Sequence, residues 1–335
     1  MKKILYIGNQ PKHNKATVTS VDTLGGFLAK EGYSVRTASS KRNKGLRLLD
    51  MCFSVIKFRK ETDIVLIDTY STYNFYYAVA VGRLCRKYKI PYIPLLHGGN
   101  LPNRLQKSKQ MSEKLFKNAF VNITPSNYLL EEFKLAGFSN LFLIPNSLDI
   151  KNYNYLQRKM APKLLWVRSF SEIYNPMLAI RVMENFQKIY PEASLAMVGP
   201  DKDGTLQKCK EVAQAKKLNV TFTGKLSKKE WIELSADYAI FINTTNFDNT
   251  PVSVIEAMAL GLPVVSTNVG GIPYLLKDRK EALLVNPRNP EMMVQAIVEL
   301  IDDTTLANEL SHNARAKAET FDWDKVKFLW DSVFK

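Results

Sequence analysis

The chain has 335 residues, 46% of them apolar and 24% charged, which excludes a disordered chain, a collagen-like fibre and a disulfide miniprotein. No run approaches the roughly 20 apolar residues that cross a bilayer, and Cys52, Cys85 and Cys209 match no metal or disulfide spacing, pointing to a reducing cytoplasm. The net charge of +15 lies in one half: residues 1–160 hold 26 Lys and Arg against 10 Asp and Glu, a balance of +16, so an anionic partner is expected there.

The first eight residues are too short in their apolar part for a signal peptide and read as a strand. A helix is predicted from about Val18 to Lys30, stopped by Gly32, before a strand over Tyr33–Ala38. Apolar runs predict further strands at Asp63–Ile67, Pro91–Leu96 and Ala119–Thr124. The second half repeats the scheme with Lys163–Val167, Ser194–Val198, Val220–Phe222, Tyr238–Ile242 and Pro263–Ser266. Such alternation predicts an α/β protein with parallel sheets covered on both faces. Asn, Tyr and two prolines between Pro145 and Pro162 mark a boundary, giving domains at 1–155 and 156–335. Ligands are expected outside the carboxyl ends of the strands, in a cleft between two doubly wound units.

The segment Asn243–Leu276 carries most of the chemical signal. Thr250-Pro251 predicts a helix start, with Thr as N-cap and Pro at the first helical position, and Gly261 with Pro263 predicts its end. The free backbone N–H groups of such a start suit an anion such as a diphosphate. Glu256 is the one charged residue between Asn249 and Leu276. It lies either at the solvent rim of the helix or against a ligand, and with Asp248 in the preceding loop it can face one ligand across the helix start. The turn Asn268–Pro273, with Gly270 and Gly271, lets backbone approach a phosphate.

Other features admit two readings. His97, at a strand end, is either a structural hydrogen-bonding residue or a catalyst. Asp201-Lys202-Asp203 reads as a solvated turn, and the histidines and cysteines lack ligand spacing, so no metal is expected. Lys41–Lys60 interleaves cations with Leu46, Leu49, Phe53 and other apolar residues, and Arg104–Lys117 adds five more cations. Both suit an anionic membrane interface or, alternatively, ordinary sheet-covering helices. No nucleic-acid partner is expected, since interleaved stacking aromatics and a known binding module are missing.

Asp248–Glu256, followed by Ala257-Met258-Ala259-Leu260-Gly261-Leu262-Pro263-Val264-Val265 and then Asn268–Pro273, resembles the signature of the family-four retaining glycosyltransferases. There a Glu, seven residues and a second Glu precede the same run. The resemblance covers most of the chain, through His97-Gly98, Thr124–Ser126, Ile144–Asp149, Lys163–Pro176, Val198–Pro200, Phe222–Gly224 and Ala282–Val285. It implies the GT-B fold, in which two Rossmann-like doubly wound domains face a central cleft. An N-terminal acceptor-binding domain and a C-terminal nucleotide-sugar domain are implied, the last helix packing back on the first domain.

Residue by residue, the resemblance gives Glu256 the ribose hydroxyls and Asp248, one methylene shorter than the usual Glu, the donor sugar near the reacting centre. Thr250, Val252 and Ser253 meet the diphosphate, and His97 lies close to the transferred sugar and acceptor. The family's Gly-Arg and Lys-Gly pairs align with Arg168-Ser169 and Tyr174-Asn175, so Arg168 and Tyr174, with Asn175 beside them, are the expected donor contacts. No cation replaces the lysine within this stretch. Asn14, Lys15, Ala16 and Thr17 stand where the family has its Gly-Gly acceptor or phosphate loop.

The implied activity is retaining hexosyl transfer from a nucleotide diphosphate sugar to a hydroxyl of a lipid-linked or saccharide acceptor, in cell-envelope polysaccharide or glycolipid synthesis. No cofactor or metal is expected, the nucleotide sugar being a co-substrate. A cytoplasmic protein, peripheral on the inner face of the cell membrane, is expected. The alternatives are a nucleotide-sugar epimerase or hydrolase on the same fold and a non-enzymatic protein that binds anionic surfaces.

Overall fold

The structure, a computed structural model, describes residues 2–10 and 19–335. Their contacts divide the chain into two units, one of residues 1–147 with 326–335 and one of residues 148–325. The first unit is built on six parallel strands: β1 (Lys3–Ile7), β2 (Ser34–Ala38), β3 (Ile64–Thr69), β4 (Tyr92–Leu96), β5 (Asn122–Thr124) and β6 (Leu141–Leu143). Their order is β2-β1-β3-β4-β5-β6. β3 and β4 are buried at every position, which explains why they read as unbroken apolar runs, whereas the edge strand β2 is largely exposed. The connecting helices are α1 (Ser20–Lys30), α2 (Lys44–Phe58), α3 (Asn74–Lys87), α4 (Leu101–Lys107), α5 (Lys109–Phe116) and α6 (Asn127–Leu135). Asn43 caps α2 by accepting from the backbone N–H groups of Gly45 and Leu46, and Ser126 caps α6 by accepting from Leu129.

The second unit repeats the plan with β7 (Lys163–Val167), β8 (Ser194–Val198), β9 (Val220–Gly224), β10 (Ile240–Asn243), β11 (Val264–Thr267) and β12 (Leu283–Val285). Their order is β12-β11-β10-β7-β8-β9. The helices are α7 (Pro176–Phe186), α8 (Thr205–Ala215), α9 (Lys228–Ser235), α10 (Val252–Ala259), α11 (Ile272–Leu275), α12 (Pro290–Asp302) and α13 (Thr304–Ala318), while α14 (Trp323–Phe334) begins in the second unit and runs into the first. In each sheet the strand order reverses once, between β1 and β3 in the first and between β7 and β10 in the second. Open α/β sheets bind ligands at such points, outside the carboxyl ends of the strands.

Several bounds differ from the sequence reading. β6 and β12 are three-residue strands at sheet edges, too short to stand out as apolar runs. β5 starts at Asn122, because Ala119 still closes the turn after α5 by donating to the Phe116 carbonyl. α10 starts at Val252 with Pro251, not Thr250, at its N-cap. The units divide at Ser147/Leu148 where the sequence suggested 155/156. Leu148 donates to the Phe321 carbonyl (2.9 Å) and accepts from the Trp323 N–H (2.8 Å), which ties the junction to the second unit. The end of α14 belongs to the first unit, where the Tyr33 hydroxyl donates to Asp331 (2.8 Å) and its ring meets Phe334 edge-on.

Arg158 fastens the chain after the junction to the second unit. Its buried guanidinium donates to the carbonyls of Ser235 (2.6 Å), Tyr238 (3.2 Å) and Leu260 (2.8 Å). Burial pushes its pKa down to about 10. Arg158→Met removes the side-chain donor from these carbonyls, of which Leu260 and Ser235 keep the backbone N–H groups of Leu156 and Tyr238, and is expected to cost about 1–3 kcal/mol, read as a lower urea midpoint. An unchanged midpoint contradicts this role.

Candidate functional site

The second unit buries the polar residues Asn243, Thr244 and Thr245 at the carboxyl end of β10 and Ser266 and Thr267 at that of β11. Arg168 follows β7, its N–H donating to the Val198 carbonyl at 2.9 Å. Gly199, at φ +150°, lies directly on the Arg168 carbonyl, where any Cβ would collide. The buried guanidinium stacks on the Tyr174 ring at 4.3 Å and forms an ion pair with Asp248. Burial pulls the Arg168 pKa below its ordinary value, opposed by Tyr174 and Glu256; an arginine keeps its charge through such a shift.

Asp248 sits in a loop that is stitched to the Arg168 segment. The hydroxyls of Thr244 and Thr245 donate to the carbonyls of Tyr174 (2.9 Å) and Ile173 (3.1 Å), and the Asn246 N–H donates to Ile173 (2.8 Å). The Trp166 indole donates to the Thr244 hydroxyl at 2.9 Å. Asn175, left-handed at φ 47°, caps α7 by accepting from Leu178 and also bonds Asn246, so its role here is to hold these loops together. Gly270 and Gly271 close the far side, the Gly271 N–H donating to the Asp248 carbonyl at 2.8 Å with its α-carbon against the Asn249 carbonyl.

α10 begins beside this pair. Its first N–H groups have no intrahelical acceptor, as at every helix start, and its residues from Ser253 to Ala259 are buried. The buried Thr250 Oγ1, Ser253 Oγ and Arg168 Nε find no hydrogen-bond partner. A buried polar atom without a partner costs about 1–3 kcal/mol, and three of them lie around this helix start. Val252 is partly exposed at the helix tip.

Glu256 is 3% exposed, which removes the solvent-rim reading. Its Oε1 accepts from the Tyr153 hydroxyl at 2.8 Å and pairs with Lys228. Burial and the adjacent Glu256 push the Tyr153 hydroxyl well above its ordinary pKa. Neither partner was singled out from sequence. Ser227 and Glu230 form a capping box that marks the start of α9, but only the fold turns Lys228 toward Glu256. Lys228 thus brings a cation to Glu256 from outside the stretch 166–176.

In the first unit His97 follows β4 and is anchored, its Nε2 lying 2.8 Å from Asp68 Oδ1. The Tyr6 hydroxyl donates to the same oxygen at 2.9 Å, and the Tyr70 ring lies 5.4 Å from the imidazole. Burial and the Asp68 carboxylate raise the pKa of both tyrosines. With Nε2 committed to Asp68, Nδ1 is the ring nitrogen left for a further partner. Tyr6 lies within a strand read from sequence as apolar, and Asp68 lies one residue past the run Asp63–Ile67 but inside β3, so neither stood out. Asn14, Lys15, Ala16 and Thr17 lie outside the described residues.

Asp201 and Asp203 are spent on local bonds, to the N–H of Gly204 and to Ser171 and Glu172. Among the described residues no group of three His, Cys, Asp or Glu is placed to hold a metal ion.

Residues 151–317 match the family described as glycosyl transferases group 1. The uncharacterized glycosyltransferase of Haemophilus influenzae is 24% identical over 226 residues, which cover 66% of this chain and 56% of that protein. The sulfoquinovosyl transferase of Arabidopsis thaliana is 28% identical over 148 residues, 43% of this chain and 28% of that one. The chain thus spans little more than half, or less, of the curated relatives it matches. Among solved structures, Anabaena HepE in complex with UDP and glucose superposes with a TM-score of 0.79 at 17% identity, covering 100% of this chain and 99% of that one. Sucrose-phosphate synthase from Thermosynechococcus elongatus gives 0.81 at 15%, covering 100% and 98%. These likenesses identify the fold as GT-B.

Gly199→Ala tests the geometry around Arg168. Strain against the Arg168 carbonyl is expected to cost about 1–3 kcal/mol, read as a lower melting temperature; a melt like that of the wild type contradicts the close approach.

Proposed function

The chain belongs to the glycosyl transferases group 1, and from that premise we propose that it is a retaining hexosyltransferase whose second unit binds a nucleotide diphosphate sugar at the start of α10. The observation that carries this reading is the set of buried, unpartnered polar atoms there: Arg168 Nε, Thr250 Oγ1 and Ser253 Oγ. A diphosphate supplies acceptors for all three and for the N–H groups of Val252 and Ser253. The HepE structures, which contain UDP, UDP with glucose, or UDP-glucose, are of a protein with this fold.

In this reading Glu256, held by Tyr153 and Lys228, accepts from the ribose hydroxyls. The diphosphate competes with Asp248 for the Arg168 guanidinium, which releases Asp248 toward the hydroxyls of the donor sugar. Arg168, Tyr174 and the helix start then stabilise the charge that develops on the departing diphosphate, in place of the family's usual Arg and Lys. Transfer proceeds on one face of the sugar. The bond from the anomeric carbon to the diphosphate oxygen breaks, the bond to the acceptor oxygen forms, and the acceptor proton passes to a diphosphate oxygen. No cofactor or metal is needed, because the cation and the helix start supply the positive charge.

The first unit binds the acceptor, with His97 as its candidate contact. Its charge favours an acceptor presented at an anionic surface, which suits polysaccharide or glycolipid assembly on the cytoplasmic face of a cell membrane.

A thermal-shift panel of nucleotide sugars selects the donor, since a ligand that binds the native state raises its stability. Glu256→Ala is expected to abolish calorimetric binding of that donor, and unchanged affinity overturns the ribose assignment. Product is expected to need an acceptor; rapid turnover of donor alone marks an epimerase or hydrolase instead.

A further inference from the structure

Helix α2 turns an apolar stripe outward. Met51, Ser54 and Val55 face the core. Leu46, Leu49 and Phe53, at i, i+3 and i+7 on one face, are 57%, 66% and 61% exposed. A helix that only covers a sheet keeps its outer face polar; here three large apolar side chains contribute nothing to the folded core. The stripe is bracketed by Lys41, Arg42 and Lys44 on one side and Lys57, Arg59 and Lys60 on the other, and Asp50 is the one acid from 41 to 60. Among the described residues none of these six cations has a carboxylate partner. Arg47 donates to the carbonyls of Lys41 (2.8 Å) and Arg42 (3.2 Å), which orders the approach to the helix. The exposed ring of Tyr73 lies beside it, with Lys44 Nζ 4.9 Å from its centroid.

We propose that this face of α2 docks on an anionic lipid bilayer. The helix lies in the plane of the interface, Leu46, Leu49 and Phe53 enter the acyl boundary, and the flanking cations meet lipid phosphates. The proposal deepens the membrane part of the reading above and is independent of glycosyl transfer. Its 15 residues rise only about 22 Å, and no helix of the described residues is long and apolar enough to cross a membrane, so α2 lies on the bilayer. Charge selects lipid over a second copy of the chain, since pairing this face with itself sets cations against cations. The apolar stripe selects lipid over nucleic acid, which has no use for it. The other basic segment is less suited: Arg104 is turned into the protein, donating from Nε to the Ser71 carbonyl (2.8 Å) and lying over the Phe75 and Tyr76 rings.

The test is flotation with vesicles of phosphatidylcholine alone and with about 30% phosphatidylglycerol, at low and raised salt. The wild type is expected to float with the anionic vesicles and not with the neutral ones. Leu46→Ser/Leu49→Ser/Phe53→Ser keeps every cation and is expected to lower the partition coefficient at least about tenfold, with an unchanged circular dichroism melt. In an otherwise wild-type chain, Phe53→Trp is expected to shift its emission to the blue on anionic vesicles and to be quenched by brominated lipid. Equal flotation of the triple variant, with no quenching of the tryptophan, overturns insertion and leaves only surface attraction. If the wild type floats with neither vesicle, the membrane reading falls as well. A concentration-dependent dimer that the triple variant abolishes, without flotation, assigns the face to self-association and also overturns the proposal. The glycosyl-transfer reading is judged separately, by donor binding to the Glu256 variant.

Discussion

The second unit depends on keeping a guanidinium buried where its strand order reverses. Removing Arg168 from water costs several kcal/mol unless the charge is matched. Asp248 supplies the match, the Tyr174 ring covers one face, and Nε is left without a partner. Other features of the region serve this arrangement. Gly199 lets the β8 loop lie on the Arg168 backbone, and Thr244, Thr245 and Asn246 lock the Asp248 loop to the segment that carries Tyr174. The pair leaves the Arg168 Nε donor unspent beside a helix start, which in the proposed complex suits an anion. It is also costly to keep, which favours a function over packing as its reason.

Glu256 shows the same economy on a neighbouring turn of α10. Burying a lone carboxylate in an apolar helix is costly unless it is paired and hydrogen-bonded; Tyr153 and Lys228 supply both. Both of their contacts fall on Oε1, so a ribose diol in the proposed complex meets Oε2. In the first unit Asp68 does comparable work, fixing the His97 ring while accepting from Tyr6. Each unit therefore holds a buried carboxylate, Asp68 near the end of β3 and Glu256 in α10, that accepts from a tyrosine hydroxyl.

The sheets were legible because central parallel strands are buried on both faces and write themselves as apolar runs; β6 and β12 were missed because three residues do not make a run. The ends of α10 were legible from Thr250-Pro251 and Gly261, to within one residue, since these residues act through local backbone geometry. Glu256 and Asp248 stood out as charges in an apolar context. The residues that hold Glu256 and His97 did not: Tyr153 lies 103 positions from Glu256 and Asp68 lies 29 from His97, distances bridged only by the fold. The outward stripe of α2 was hidden for another reason. Lys44–Phe58 carries apolar residues on two faces, and periodicity alone does not say which face the sheet takes.

In the proposed complex the Arg168 pocket binds the diphosphate and not the rest of the donor. Calorimetric titration of the wild type and Arg168→Met with the nucleoside diphosphate of the selected donor, and with its parent nucleoside, tests it most directly. The account predicts that the variant binds the diphosphate about ten- to a hundredfold more weakly, the worth of a charge-assisted hydrogen bond, while nucleoside binding stays the same. Equal diphosphate affinity in the two proteins would contradict it.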